Sequence, residues 1–318
     1  MGEEARAARR AAERRRIRRQ RVIAAAALAT IALVVVVLVL LGSAGGSGES
    51  GDRAGPRAQG GVRPKPKGNL EPASSKVRNA TTQPGWKPYS GPVPILEYHV
   101  LGRPHGEVPY PQLYVGRSAF SKQMDWLEQQ GYEAVTLEQV ESAWYEDGRL
   151  PAKPVVISFD DGYRPQFTFA LPELRKHGWP GVLNLKAEGS ELYESNVRAM
   201  LAAGWELAAH TIHHSDLTTL EGAALEEEVA GSRRILRREY HVPVANFCYP
   251  AGQYDAATID AVKKAGYTGA TTEIPGYATS SSPYELARME VLGDWGVQGL
   301  AAALRSGAAE AGPPVAGG

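Results

Sequence analysis

The chain has one cysteine in 318 residues. No intrachain disulfide is possible, so the fold must rest on its apolar core, which a chain of this size can supply. Cys248 lies in an apolar stretch and reads as a small buried hydrophobe, with no partner base for a nucleophilic thiol near it in sequence. Net charge is also lacking, because 35 basic and 35 acidic residues cancel. That removes any bulk electrostatic argument for nucleic acid as a partner. Histidine is scarce: there are seven, and none follows His241.

Other absences are local. Residues 1–21 hold nine Arg and only three Glu, a net of +6, so the rest of the chain is near −6. Residues 22–41 carry no charge, and Thr30 is their one polar side chain. Twenty such residues at helical rise span a bilayer core of about 30 Å. The flanking arginines predict a cytoplasmic N-terminus (1–21), a transmembrane anchor (22–42) and an extracytoplasmic remainder. A cleaved signal peptide is the alternative, because Gly42-Ser43-Ala44 offers small residues; its apolar part would be shorter, about 7–15 residues. Residues 43–91 have few large apolar side chains and read as a disordered Gly/Pro-rich tether. A folded domain is expected over 92–305 and a disordered tail over 306–318.

Within that domain the chain turns on Val155-Val156-Ile157-Ser158-Phe159-Asp160-Asp161-Gly162. The β-branched run predicts a strand buried on both faces, and Asp-Asp-Gly the turn at its carboxyl end. Two adjacent carboxylates there repel each other and lose solvation. A bound cation reverses that sum, one aspartate ligating it while the other stays free as a base. A capping or turn pair is the plainer reading. A second apolar run, Glu206 to Ala209, ends in His210-Thr211-Ile212-His213-His214. The four-residue spacing of His210 and His214 places both imidazoles on one side of a helical turn, able to grip one ion. His213, three residues from His210, competes on spacing, and a surface histidine cluster is the alternative. Two His and one Asp form a usual ligand set for a catalytic divalent metal, with zinc the default.

Strand and helix patterns alternate along the domain. Strands are expected at 93–101, 134–137, 155–160, 181–185, 205–209, 244–249, 267–272 and 284–291. Helices are expected after Ser118 as a cap, at 137–145, 165–176, 195–203, 220–240 and 255–265, and at 297–304. Such alternation predicts an α/β fold with a parallel sheet closed or nearly closed into a barrel, its chemistry at the carboxyl ends of the strands. Both motifs fall there.

Ser158-Phe159-Asp160-Asp161-Gly162 followed by His210-Thr211-x-x-His214-x-x-Leu217 resembles the polysaccharide deacetylases of the NodB homology family. The resemblance covers roughly residues 92–305. It implies a distorted (β/α) barrel of seven or eight strands. It also implies Asp161, His210 and His214 as metal ligands, Asp160 as general base, and an oxyanion donor from the Tyr249-Pro250-Ala251 backbone. Two departures stand out. The family's Arg-x-Pro-aromatic is replaced by Cys248-Tyr249-Pro250-Ala251, so the arginine that braces the base is missing; Arg288 is the candidate replacement, a surface arginine the alternative. The late Leu-x-His is absent, leaving His99 as candidate general acid, a structural histidine being the alternative. Tyr98-His99 and both departures resemble the subgroup acting on poly-β-1,6-N-acetylglucosamine. Trp295 is a candidate wall for a sugar ring or a core residue.

The resulting expectation is a membrane-anchored, extracytoplasmic, metal-dependent N-deacetylase of an acetylated amino-sugar polymer, zinc being the default metal and other divalent first-row ions fitting the set, secreted if the apolar segment is cleaved. A non-catalytic glycan-binding protein on the same fold, motivated by the two departures, and a deacetylase of small molecules are the rivals.

Overall fold

The computed structural model of the chain describes residues 76–311. The expected cytoplasmic tail, apolar anchor and most of the tether lie outside the described residues. Among the described residues no helix is long and apolar enough to cross a membrane.

The described residues form ten strands: β1 (Ile95–Tyr98), β2 (Val100–Leu101), β3 (Tyr114–Val115), β4 (Glu133–Val135), β5 (Pro154–Asp160), β6 (Val182–Leu185), β7 (Glu206–Ala209), β8 (Asn246–Cys248), β9 (Gly269–Pro275) and β10 (Leu286–Glu290). Seven of them close a parallel ring in the order β1-β10-β9-β8-β7-β6-β5, shut by the pairing of β1 with β5. β4 stays outside the ring. Val156 pairs with Ile95 on one edge of β5 and with Val135 of β4 on the other, while Ser158 pairs with Val182 of β6. β4 therefore takes the first half of one edge and β6 the second. That arrangement resolves the choice between seven and eight strands to seven in the ring. β2 and β3 form a small separate ribbon, because the expected 93–101 strand breaks at His99.

The side-chain period of two explains the layering. On β5, Val155, Ile157 and Phe159 face one apolar cluster, shared with the helices. Val156 joins a smaller cluster with Ile95, Val182, Ala208 and Leu286 from other ring strands. Ser158 and Asp160 share the parity of Val156 and so continue the barrel interior upward. The same parity on β1 carries Ile95 and then Glu97 inside.

Helices cover the ring: α1 (Arg117–Gln129), α2 (Leu137–Tyr145), α3 (Leu171–His177), α4 (Glu194–Ala202), α5 (Gly222–Glu226), α6 (Ser232–Tyr240), α7 (Ala256–Lys264) and α8 (Val297–Ala311). α1 buries Phe120, Met124 and Leu127 at helical spacing. It starts after Gly116 with no side-chain cap, so Ser118 lies inside the helix and is not its cap. α2 starts on a reciprocal Thr136–Gln139 capping box. The helix expected over 220–240 is divided by a wider turn at Glu227–Gly231, where Glu228 is drawn to the His213 loop. Residues 76–91, assigned by composition to the tether, pack against the domain: Val77, Asn79 and Trp86 are buried, and Asn79 donates to Ala134 O at 3.1 Å.

Candidate metal centre and active site

The carboxyl end of β5 is where the ring's polar groups meet. Asp160 is the strand's last residue, 1% exposed. Asp161 turns out of the strand at φ 73°, and Gly162 follows at φ 75°. A Cβ at Gly162 would run into Ser190 and Leu185, so this tight turn needs glycine. Asp161 N–H donates to Asn184 O at 3.1 Å, which ties the turn to β6.

His210 leaves β7 at the same end. The segment after it is not helical: Thr211 and His214 both have φ 62°. The four-residue spacing therefore does not act through a helical turn. The loop is shaped instead by Ala187 and Glu188 N–H donating to Thr211 and Ile212 carbonyls at 3.0 and 3.1 Å. His214 N–H donates to Thr211 Oγ1 at 2.8 Å, and Glu228 accepts from Ile212 N–H at 3.0 Å. His213 turns away, its Nδ1 2.6 Å from Glu228 Oε1, so it does not compete for the site. Of the five non-glycine residues with positive φ among the described residues, Asp161, Thr211, His214 and Ala251 belong to these site loops. Such conformations cost about 1–3 kcal/mol each and persist where the surroundings impose them.

The loops converge. Asp161 Oδ1 lies 3.9 Å from His210 Nε2 and 3.6 Å from His214 Nε2. Both separations are too long for hydrogen bonds. Two donors bound at ~2.1 Å to one tetrahedral ion lie roughly 3.4 Å apart, which these separations approach. Asp161 Oδ1 and His210 Nε2 are buried with no hydrogen-bond partner, an arrangement that a cation satisfies. His210 Nδ1 lies 2.8 Å from Cys248 O, which fixes the N–H there and leaves the Nε2 lone pair facing Asp161. Burial pushes His210 down to about 4, so its ring is neutral and free to ligate near pH 7. Lys186 Nζ, 3.5 Å from Asp161 Oδ1, offsets part of the carboxylate's charge. The residues present fit a divalent ion.

Asp160 is held differently. Its Oδ1 accepts from Asn184 Nδ2 at 2.6 Å and Arg288 Nη1 at 2.9 Å, and Cys248 Sγ lies 3.4 Å from Oδ2. Burial alone would raise the carboxyl; the Arg288 guanidinium outweighs it and holds Asp160 well below the usual carboxylate range. Arg288, 1% exposed, is no surface arginine. It enters from β10, whereas Cys248 on β8 occupies the motif position where an arginine was expected. Burial pushes the Cys248 thiol well up, and Asp160 Oδ1 is already engaged, so Asp160, His210 and Cys248 make a poorer ligand set than Asp161, His210 and His214, although they also cluster.

Glu97 escaped the sequence reading. It is fully buried, with Oε1 3.2 Å from Arg288 Nη2 and 3.7 Å from His99 Nε2. Neither Glu97 oxygen nor Arg288 Nη2 has a hydrogen-bond partner, so the contact is an ion-pair approach without hydrogen-bond geometry. One guanidinium faces two buried acids. Asp160 holds it by a hydrogen bond, and burial pushes Glu97 well above the usual carboxylate range. Two-residue parity from Ile95 would have placed Glu97 inside the barrel.

His99 follows Tyr98, which pairs with Phe159, so it stands level with Asp160 across the β1–β5 seam. Gln166 Nε2 bridges the two, donating to His99 O at 3.0 Å and to Asp160 O at 2.6 Å. Tyr249-Pro250-Ala251 follows β8, with Ala251 at φ 49°. Gly252 and Gln253 N–H close that turn onto Tyr249 O and Pro250 O, both at 3.0 Å. Trp295 is not brought to the cluster by any contact; it is half-buried against the apolar core, and its carbonyl accepts from Gln123. Beside the Asp161 turn a cleft of ≈ 750 Å³ is lined by Val100, Tyr114, Arg117, Tyr163 and Glu191.

The sequence profile of the polysaccharide deacetylase family matches residues 147–270. YxkH of Bacillus subtilis (strain 168), whose name places it among the polysaccharide deacetylases, is 30% identical over 204 residues, 63% of this chain and 71% of its own length. The poly-β-1,6-N-acetyl-D-glucosamine N-deacetylase of Staphylococcus aureus (strain MSSA476) is 25% identical over 200 residues, 57% of this chain and 68% of its own. The solved Streptococcus pyogenes deacetylase PplD shares the fold, with a TM-score of 0.62 at 22% identity over 67% of this chain and 98% of that one.

Proposed function

Because the chain belongs to the polysaccharide deacetylase family, we propose that it hydrolyses N-acetyl groups from an amino-sugar polymer outside the cytoplasm, releasing acetate with the help of a divalent metal. Zinc suits the two imidazoles and one carboxylate. The observation that carries the reading is the meeting of Asp161, His210 and His214, two of them with orphaned donor atoms, beside an acid that Arg288 keeps ionised.

Asp161, His210 and His214 would hold the ion. When bound, such an ion supplies an acidified water and polarises the acetamide carbonyl. Asp160 takes the proton from the attacking water at Oδ2, since Oδ1 is occupied by Asn184 and Arg288. Arg288 fixes the carboxylate's orientation and keeps it charged. The Ala251 N–H serves as oxyanion donor, its neighbours' N–H groups being used within the turn. His99 gives the proton that the leaving amine needs. The cleft beside Tyr163 takes the polymer.

The similarity to the Staphylococcus aureus poly-β-1,6-N-acetyl-D-glucosamine N-deacetylase supports poly-β-1,6-N-acetylglucosamine as the first polymer to try. The uncharged run Val22 to Leu41 and the arginines before it support an anchored protein with its domain outside the membrane. A binding protein on the same fold has no use for a braced, ionised acid beside a metal set. The test is acetate release from acetylated β-1,6- and β-1,4-linked glucosamine oligomers by zinc-loaded wild type and Asp160→Asn. Release by the wild type alone supports the hydrolase; no release from any acetylated amino-sugar polymer overturns it.

A further inference from the structure

A second set of metal donors lies away from the active site, where α1 packs beside α3. Asp125 and Glu128 sit three apart on α1, and Glu173 and His177 four apart on α3, so each pair shares a helix face. One atom each from Asp125, Glu173 and His177 lies within 4.8 Å of the others. His177 Nε2 is 3.6 Å from Asp125 Oδ1. That is beyond a hydrogen bond and equals the His214–Asp161 separation in the catalytic set. The Nε2 atom is buried and has no hydrogen-bond partner, in a residue only 6% exposed.

The imidazole is also oriented as a ligand is. Glu128 Oε2 lies 3.0 Å from Nδ1 and takes its N–H, which leaves the Nε2 lone pair on the side of Asp125. A carboxylate on the far nitrogen is the usual support of a metal-bound histidine. The ring stacks on Trp179 at 4.8 Å, which restricts its rotation. Glu173 is 4% exposed, and one oxygen accepts from the exposed Lys176 at 2.6 Å.

We propose that Asp125, Glu173 and His177 form a second, structural site for a first-row divalent cation such as Zn²⁺, clamping α1 to α3. One imidazole and two carboxylates suit such an ion, with water completing the shell. The ion ties α3 to the far end of α1, whose first turn lines the cleft at Arg117.

The test is equilibrium dialysis of the full chain against Zn²⁺ alone, with bound metal counted by elemental analysis. Wild type takes up two equivalents. Asp125→Ala, a change at an exposed position, takes up one and keeps its acetate release. His214→Ala also takes up one, and adding Zn²⁺ raises its thermal midpoint, because the remaining ion binds only the folded state. The double variant takes up none. A His214→Ala protein that binds no zinc overturns the proposal. So does a second equivalent that survives both Asp125→Ala and His177→Gln. If only the Asp125-dependent equivalent is found, the clamp stands and the catalytic metal reading falls.

Discussion

The two ends of the barrel each bury acids, and they handle them in opposite ways. At the carboxyl end, Asp160 is ionised against Arg288, and Asp161 points an unpartnered oxygen at two imidazoles. At the amino end neither Glu206 nor Glu141 has an ion-pair partner among the described residues. Glu206 accepts from Glu138 N–H at 2.9 Å and from Asn246 Nδ2 at 3.0 Å, and burial pushes it well above its usual range. Glu141 accepts from Thr268 at 2.7 Å, and burial pushes it up to about 7. The amino end thus holds acids that burial pushes up, set among hydrogen bonds, as a structural plug does. The carboxyl end keeps charge in a dry place, which costs stability and suits chemistry.

The comparison breaks most visibly at Asp160. Asp160→Asn should lower kcat by about 10²–10⁴-fold with zinc content unchanged, measured as acetate release beside bound metal. Removing the cation comes next. Arg288→Met should cost about 3–5 kcal/mol in urea unfolding, because it strands a buried charge. Glu97→Gln should stay within about 1 kcal/mol, since burial already disfavours the charged form and the amide keeps the shape. The sign with pH follows. Asp160 titrates below its ordinary 3.8, so its pairing stabilises above pH 3.8 and is lost as pH falls beneath that. Arg288→Met removes that contribution and shifts the acid limb of kcat/KM to higher pH.

At the amino end the sign reverses. Glu141 titrates near 7 against an ordinary 4.5. Its stabilisation is fully present below pH 4.5 and is lost as pH rises through 7. Glu141→Gln should therefore stabilise by about 2–3 kcal/mol above pH 7 and by almost nothing below pH 4.5. The new amide N–H₂ also meets the unpartnered Asn246 Oδ1, since both groups crowd the same face of Gly269. Thermal melts at pH 4.5 and pH 8 check this. The smallest effect belongs to Cys248→Ser, expected within about 1 kcal/mol and with kcat changed less than threefold, because the thiol is a weak donor to Asp160.

Local chemistry explains what the sequence made legible. The β-branched run into Asp160-Asp161-Gly162 and the β7 run into His210 mark strand ends directly, so the carboxyl-end cluster could be read before any coordinates. Period-two parity also reaches Arg288, once β10 is known to lie beside β1. What stayed hidden depends on tertiary contacts. The His210–His214 loop is shaped by the backbone of Ala187 and Glu188 just after β6 and by Glu228, none adjacent in sequence, so the two imidazoles approach Asp161 without the helical turn that their spacing suggested. Glu97 needed the pairing of β1 with β10 to meet Arg288. The packing of Val77 and Trp86 ran against the tether's composition, because a few anchored side chains suffice to seat an otherwise polar segment.

Zinc K-edge absorption on the Asp125→Ala protein carrying one equivalent of zinc tests the central claim most directly. Asp161, His210 and His214 predict a shell of nitrogen and oxygen at about 2.0–2.2 Å with imidazole scattering from two rings and no sulfur. A sulfur at about 2.3 Å would place the ion on Cys248 and make Asp160 a ligand, which contradicts its role as the free base.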